Sequence, residues 1–557
     1  MPENILVAVA WPYCNGSLHL GHLAGAYLPA DIFARYHRLR GNRVLMVSGS
    51  DQHGTPITLR AEQEGVHPQQ IVSRFQAEFL ECWRQMGISF DLFTTTGTSN
   101  HRNVTHDIFL ALLQQGFLYK ATTSQPFCIK CQRFLPDRYV EGTCPHCKFG
   151  SARGDQCDGC GKTLNPEDLI SPRCRMDGTI PEFRLTEHFF LRLSVFRDRL
   201  YEWVKGQKHW RPNVLNFTLR YLEEGLKDRA ITRDIQWGIP IPVPGYDSKR
   251  IYVWFEAVIG YLSAAKEISN LRGTPNLWQE FWLDPSAKTY YFIGKDNIPF
   301  HTIIWPAMLM GYGGHNLPYD VPANEYMTVE AKKFSKSRNW AIWLPDYLSR
   351  YQADPLRYCL AINMPETSDA DFSWTDFVRR NNDELVATYG NLVHRVLLFT
   401  YRSFEGHVPQ PGVLGEADTQ VLASGKIAMD NVSASLTHCR FREGLRHCFD
   451  YAQQVNRYLD ARGPWKTIKT DRQGAGTTLW VAIQAISHLK TMTCPYLPFS
   501  SIRLHSLLGL KGTVEETGWR ADDIPGGHPF PSPTPLFTKL DDSVAEVETE
   551  RLLGNAG

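Results

Sequence analysis

Residues 5–54 commit the chain to a parallel sheet. The apolar run Ile5–Ala10 reads as a buried strand, followed by a Gly-containing loop. Helical periodicity runs from about Leu20 to Leu39, with Gly41 as its stop. A second strand, Arg43–Ser48, ends at Gly49-Ser50-Asp51-Gln52-His53-Gly54. Strand, turn, helix and strand in so short a span form a βαβ unit. Such units build doubly wound sheets whose ligands sit beyond the carboxyl ends of the strands. Two loops fall there. One leads into His19-Leu20-Gly21-His22, and the other carries Asp51.

His19 and His22, at i and i+3, share one face of a helix's first turn. A helix start offers free N–H groups and partial positive charge, which suits phosphate. Gly16 and Gly21 let a nucleotide approach the backbone, and the imidazoles can donate to oxygens on which charge builds. Far downstream, Lys333-Phe334-Ser335-Lys336-Ser337 sets two lysines at i and i+3 among small residues. Lysine is a flexible point charge that can follow separating phosphates. Each motif alone is more often a surface feature. Together, in this order, they predict a machine that grips ATP phosphates from two sides.

The chain has 557 residues, enough for several domains. Its 43% hydrophobic and 21% charged content is that of a globular protein, and its net charge of +1 gives no global steering toward nucleic acid. The N-terminal apolar run is short, lacks a basic flank and meets Pro12, so it is not a signal peptide. No run reaches the ~20 apolar residues of a membrane span. The expected compartment is the cytoplasm, where 13 cysteines would stay unpaired.

Seven of those cysteines crowd between Cys128 and Cys174. Cys144-x-x-Cys147 and Cys157-x-x-Cys160 form two knuckles suited to tetrahedral Zn²⁺. Cys128-x-x-Cys131 is a third knuckle, whose mates would be Cys174 and Asp177. A three-Cys, one-Asp site and loss of that metal both remain open.

The two motifs resemble the signatures of class I aminoacyl-tRNA synthetases, most closely the methionyl-tRNA synthetase family. The resemblance extends over nearly the whole chain. It includes Trp11-Pro12-Tyr13, Gly49–Gly54, Thr232-Arg233-Asp234, Tyr252-Val253-Trp254, Ile293-Gly294-Lys295-Asp296 and Phe300-His301. It implies an α/β fold: a Rossmann-like doubly wound parallel sheet with a zinc-binding insertion and a C-terminal helical bundle. The implied organisation is a catalytic domain in halves 1–115 and 232–320, a zinc-knuckle insertion at 116–231 and a region bearing the lysine loop at 321–380. An anticodon-binding helical domain at 381–508 and a tail at 509–557 complete it. That tail is rich in Pro and Gly and is expected to be irregular. The insertion is too small for the editing domain of leucyl, isoleucyl or valyl relatives. No appended dimerising domain is visible, so a monomer is expected.

The implied activity is ATP-dependent attachment of L-methionine to tRNA(Met) through a methionyl adenylate, with Mg²⁺ accompanying ATP. The resemblance makes His19, His22, Lys333, Lys336 and Arg233 catalytic. Gly21, Gly294, Lys295, Asp296 and Lys336 become ATP contacts, and Asp51 the partner of the substrate ammonium. Trp11, Tyr13, Trp254, Ala257, Tyr261, Phe300 and His301 line the side-chain pocket. Asn391, Arg395 and Trp465 match positions that read the CAU anticodon. The chain departs from the family pattern at Phe334 (usually Met), Trp11 (often a smaller aliphatic), Val258 (often Pro) and Asn297 (often Ile). Two rivals are a small-molecule nucleotidyltransferase without tRNA and a catalytically idle RNA-binding relative. A second methionyl enzyme that evades an inhibitor is a third reading.

Overall fold

The computed structural model describes residues 2–160, 162, 164–334 and 340–555. Five strands form one parallel sheet in the order Ala323–Asn324, Lys288–Gly294, Asn4–Val9, Arg43–Ser50, Leu92–Thr95. Asn4–Val9 therefore sits between the strands from residues 43–95 and those from residues 288–324, where a doubly wound sheet opens its crevice. Its residues alternate between two cores. Ile5, Val7 and Val9 join a core shared with the helical C-terminal half, whereas Leu6 and Ala8 face the core under helix Val253–Leu271. Tyr290 and Phe292 against Tyr291 and Ile293 repeat that alternation on the neighbouring strand.

The helix after the histidine motif runs on through Leu20–His22, a π-helical turn at Leu23–Tyr27, and Leu28–Leu39. Gly41 follows in the left-handed region (φ +78°), as its place at the helix stop predicts. The strand expected at Ile251-Tyr252-Val253-Trp254 is shorter than the sequence suggests. Arg250–Ile251 is extended, and a 19-residue helix starts at Val253.

Leu118–Cys128 and Glu182–Leu191 pair antiparallel and carry a smaller sheet around the cysteines, Val140–Thr143 with Ala152–Arg153 and Ile170–Cys174. Beyond the parallel sheet, helices Asn391–Ser403, Glu416–Thr437, Phe441–Arg462 and Arg472–Thr493 pack as a bundle. The C-terminal segment corrects its sequence reading. It packs back through Phe530, Leu536 and Phe537, but it ends in a regular helix, Ser543–Asn555, against Trp374–Arg379. Glu548 on that helix is buried and accepts from Arg350 Nη2 at 2.8 Å and Tyr351 at 2.8 Å. Among the described residues, no helix is long and apolar enough to cross a membrane.

One buried ion pair joins the two halves. Arg357 and Asp31 side chains are both 0% exposed and meet at 2.6 Å. Arg357 also donates to the carbonyls of Tyr496 (2.7 Å), Pro495 (3.0 Å) and Met86 (3.1 Å). Asp31 in turn accepts from Arg35 and from the N–H and hydroxyl of Ser89. Burial alone would raise the Asp31 carboxyl, but Arg35 and Arg357 hold it down at about 2. Its contribution is therefore complete above the ordinary carboxylate range and is lost as pH falls through about 2. Arg357→Ala should destabilise the protein by about 3–5 kcal/mol, because it removes one of the two cations holding a buried carboxylate and leaves the carbonyls of Tyr496, Pro495 and Met86 without that donor. A markedly lower melting temperature and faster thermal inactivation would show this. An unchanged melting temperature would contradict it.

Candidate functional site

The loop after Asn4–Val9 and the loop after Arg43–Ser50 are locked together at the carboxyl ends of their strands. Asp51 N–H donates to Pro12 O at 2.8 Å, and Cys14 N–H to Asp51 O at 2.9 Å. This places Asp51, 3% exposed, in the floor of a cavity. Trp11, Tyr13, Asp51, Trp254, Ala257, Tyr261, Phe300 and His301 all line that one cavity, together with Ala10, Val258 and Asn297. The structure thus brings together every residue that the sequence placed in a side-chain pocket.

The walls are fixed by hydrogen bonds at their polar ends. Trp254 Nε1 donates to Tyr13 Oη at 2.8 Å, and the Trp254 and Phe300 rings meet edge to face at 4.7 Å. His301 Nδ1 lies 2.9 Å from Asn297 O, and its Nε2 lies 2.7 Å from Tyr261 Oη. Since the carbonyl can only accept, Nδ1 carries the proton and Nε2 accepts from the tyrosine. Burial lowers His301 to about 4, so it is neutral near pH 7. Desolvation, and then the nearby Glu256 carboxylate, push the Asp51 carboxyl well above its usual range.

Trp11 is admitted by glycines. A Cβ on Gly260 would lie 2.6 Å from Trp11 Cζ2, and one on Gly49 would lie 2.5 Å from Cζ3. Gly54 gives Tyr13 the same clearance. The departure at position 11 is therefore seated between two backbone surfaces.

The described part of the lysine motif reaches the histidine motif through Phe334. Phe334 stacks on the His19 ring with centroids 4.5 Å apart at 10°. The His19 and His22 rings lie 3.8 Å apart. Gly21 N–H donates to His19 Nδ1 at 3.1 Å and His19 N–H to His22 Nδ1 at 3.0 Å. With both Nδ1 atoms accepting, the neutral rings carry their protons on Nε2, which makes Nε2–H the donor for an anionic ligand. At Gly21 a Cβ would crowd both the His19 ring (3.0 Å) and Phe334 (3.1 Å). Lys333 lies in the short strand Lys332–Lys333, paired with Met327–Val329. Lys336 lies outside the described residues.

Other expected site residues are placed apart from the cavity. The Arg233 guanidinium lies 3.7 Å over the Tyr252 ring and donates to Asp137 at 3.0 Å. It lines a second cavity that shares the Trp254 and Phe300 walls with the first. Lys295 and Asp296, just beyond strand end Gly294, line a cleft opposite Cys157–Cys160. Lys295 pairs with Glu325 (2.7 Å) and Asp369 (2.9 Å), and Asp296 accepts from Tyr326. In the bundle, Gly463 takes a left-handed turn (φ +50°) and Pro464 restarts the helix. Trp465 is thereby set beneath Arg395 at 4.4 Å. Asn391 is exposed one turn before Arg395.

Two side-chain clusters could hold metal. Cys144, Cys147, Cys157 and Cys160 have all sulfurs within 4.8 Å of one another, with Cys144–Cys160 at 3.9 Å and Cys147–Cys157 at 3.5 Å. A zinc tetrahedron with ~2.3 Å bonds has edges of about 3.8 Å, so the sulfurs fit. Cys128, Cys131, Cys174 and Asp177 converge equally, with Asp177 Oδ2 3.3 Å from Cys131 Sγ and 3.4 Å from Cys128 Sγ.

The sequence reading passed over His53 and Glu256. His53 Nδ1 meets Glu256 Oε1 at 2.8 Å behind Asp51. A glutamate inside an apolar helical run was the available signal.

A family model described as tRNA synthetases class I (M) matches residues 5–397. The chain belongs to this family. A second model, the anticodon binding domain of methionyl tRNA ligase, matches residues 408–556. A methionine–tRNA ligase of Dehalococcoides mccartyi is 58% identical over 552 residues, covering 99% of this chain and all of the relative. One of Thermomicrobium roseum is 53% identical over 583 residues, with both chains fully covered. The fold is that of the Mycobacterium tuberculosis methionyl-tRNA synthetase bound by methionyl-adenylate. That structure is 24% identical with a TM-score of 0.79, covering 97% of this chain and all of that one.

Within this synthetase, the glycine cradle makes a graded test. Gly260→Ala should cost about 1–3 kcal/mol through overpacking, and Trp11→Leu should restore most of it. Gly49→Ala should not be rescued, because its Cβ would also strike Thr94 O at 2.6 Å. Thermal unfolding of the single and double variants decides between these outcomes.

Proposed function

We propose that the chain attaches L-methionine to tRNA(Met) in two steps at the cavity and histidine pair described above. One observation carries the reading. The loop that lines an aromatic cavity with a single floor carboxylate leads on along the chain to two imidazoles at a helix start, in a chain whose close relatives are methionine–tRNA ligases.

Asp51 takes the α-ammonium, and the aromatic walls take the flexible thioether. The substrate carboxylate attacks the α-phosphorus of Mg²⁺-ATP. The bond to the bridging oxygen breaks, pyrophosphate leaves, and methionyl adenylate forms. His19 and His22 donate from Nε2 to phosphate oxygens, while Lys333 and Lys336 follow the departing pyrophosphate. Gly21 and Gly294 let the nucleotide approach the backbone, and Asp296 contacts the ribose. Lys295 must exchange one of its carboxylate partners to reach ATP. Arg233 assists activation from behind the Trp254–Phe300 wall. A terminal hydroxyl of the tRNA then attacks the adenylate carbonyl and releases AMP. Asn391, Arg395 and Trp465 read the anticodon by edge hydrogen bonds and stacking. The enzyme works as a cytoplasmic monomer, where its 13 free cysteines stay reduced.

Methionine-dependent exchange of pyrophosphate into ATP should therefore be measurable, and His22→Ala should lower it roughly 10²–10³-fold. Trp465→Ala should keep that exchange and weaken tRNA charging by about 1–3 kcal/mol. Exchange with another amino acid, or none, would overturn the reading.

The two cysteine clusters would hold structural zinc, since four protein ligands leave no open position for chemistry. Metal analysis of purified protein should find two zinc ions per chain, falling to one in Asp177→Ala. One ion in the unmodified protein would assign metal to the four-cysteine cluster alone.

A further inference from the structure

Asp51 has a buried electrostatic partner system behind it. The His53 N–H donates to Asp51 Oδ1 at 3.2 Å, and the His53 ring meets Glu256 Oε1 at 2.8 Å. Glu256 is 0% exposed and sits in the first turn of helix Val253–Leu271, one residue before the cavity-lining Ala257. Among the described residues, no protein group donates to Glu256 Oε2, and neither Asp51 nor Glu256 ion-pairs with a lysine or arginine. One residue thus touches two buried carboxylates, Asp51 through its backbone N–H and Glu256 through its ring.

The charge count follows. With His53 protonated, Asp51 and Glu256 can both be ionised at a net charge of −1, which a substrate ammonium neutralises. With a neutral group at position 53 the same pair would carry −2 in a buried site, so one carboxyl group would retain a proton. Burial alone would lower the His53 ring. Glu256, by charge and hydrogen bond, more than offsets this and raises it. The surrounding groups do not take over that role. Burial keeps His101 neutral at about 3, burial holds the Tyr13 phenol protonated, and the charge of Arg102 disfavours protonation of His53.

We propose that His53, held by Glu256, is a positioning residue that favours the ionised form of Asp51 and so sets the affinity of the pocket for the α-ammonium of the amino acid. This rests on the methionine-activating reading above.

The test is pyrophosphate exchange against pH, with methionine KM and kcat measured for the unmodified enzyme, His53→Asn, Glu256→Gln and the double variant. His53→Asn leaves the Glu256 charge uncompensated, which raises the pKa of Asp51. Methionine KM should rise about tenfold near neutral pH, with kcat much less affected, and the gap should close as pH rises. Glu256→Gln removes both charges together, because His53 then loses its proton. Its KM should stay within a few-fold of the unmodified enzyme, and the double variant should return toward it.

A pH-independent loss in His53→Asn, or a double variant at least as impaired as the single, would overturn the proposal. If His53→Asn does not fold, the imidazole titration of His53 read by NMR on histidine-labelled protein decides. A ring protonated near pH 7, and neutral in Glu256→Gln, supports the proposal; a ring already neutral in the unmodified enzyme refutes it. An unmodified enzyme without methionine-dependent exchange at any pH would fail the functional reading itself, whatever His53 does.

Discussion

The geometry of the site depends on a guanidinium that touches no part of it. Arg357 donates to Asp31 and Met86 O on the sheet side, and to Pro495 O and Tyr496 O on the bundle side. A buried ion pair is a poor source of net stability, because desolvation consumes most of its Coulomb energy. Directional donors, however, fix a relative position more sharply than apolar packing does. Asp31 lies on the helical run that begins at the histidine motif, so the pair anchors His19 and His22 from their carboxyl-terminal side. The same run carries Ala30 and Phe33 into the core shared with the bundle. Apolar packing supplies cohesion there, and Arg357 sets the register.

Around the cavity, order comes from pairing large side chains with missing ones. Trp11 lies against Gly49 and Gly260, and Tyr13 against Gly54. Each glycine is distant in sequence from the ring it admits, or separated from it by a helix and a strand. The spacing along the chain shows the aromatics and the glycines but not which belongs to which. The same limit explains His53 and Glu256, which lie 203 residues apart and meet because the loop after Arg43–Ser50 converges with the first turn of helix Val253–Leu271.

What could be read in the sequence was local. The strand alternation, the helix stop at Gly41 and the knuckle spacings all follow from periodicity or short-range geometry, and the knuckle cysteines converge as their spacing implies. The pocket residues required family resemblance, because single aromatics are ordinarily core. The terminal helix Ser543–Asn555 was hidden for a different reason. Pro529, Pro531, Pro533 and Pro535 just before it mark an irregular segment, and the helix owes its place to the buried Glu548 clasp with Arg350 and Tyr351. Phe334 on His19 is likewise a tertiary contact that no spacing contains.

The arrangement of charge limits where a charged ligand could be matched. In the cavity, Tyr261 is held as a phenol by burial and His301 is neutral at about 4; behind its walls, burial likewise keeps the Tyr291 phenol protonated and His101 neutral at about 3. Asp51, with the His53–Glu256 pair behind it, is then the place where a cationic end of a ligand is matched. The histidine motif is built differently, from Nε2–H donors at a helix start, with Phe334 stacked on His19 and Lys333 in the short strand just before it. A ligand with an ammonium, an apolar thioether and a carboxylate can satisfy both regions at once. On the proposed reading its ammonium docks at Asp51, its side chain fills the aromatic walls, and its carboxylate is left for the phosphorus of ATP. A ligand lacking any of the three leaves a buried group unmatched, and burial makes each mismatch costly.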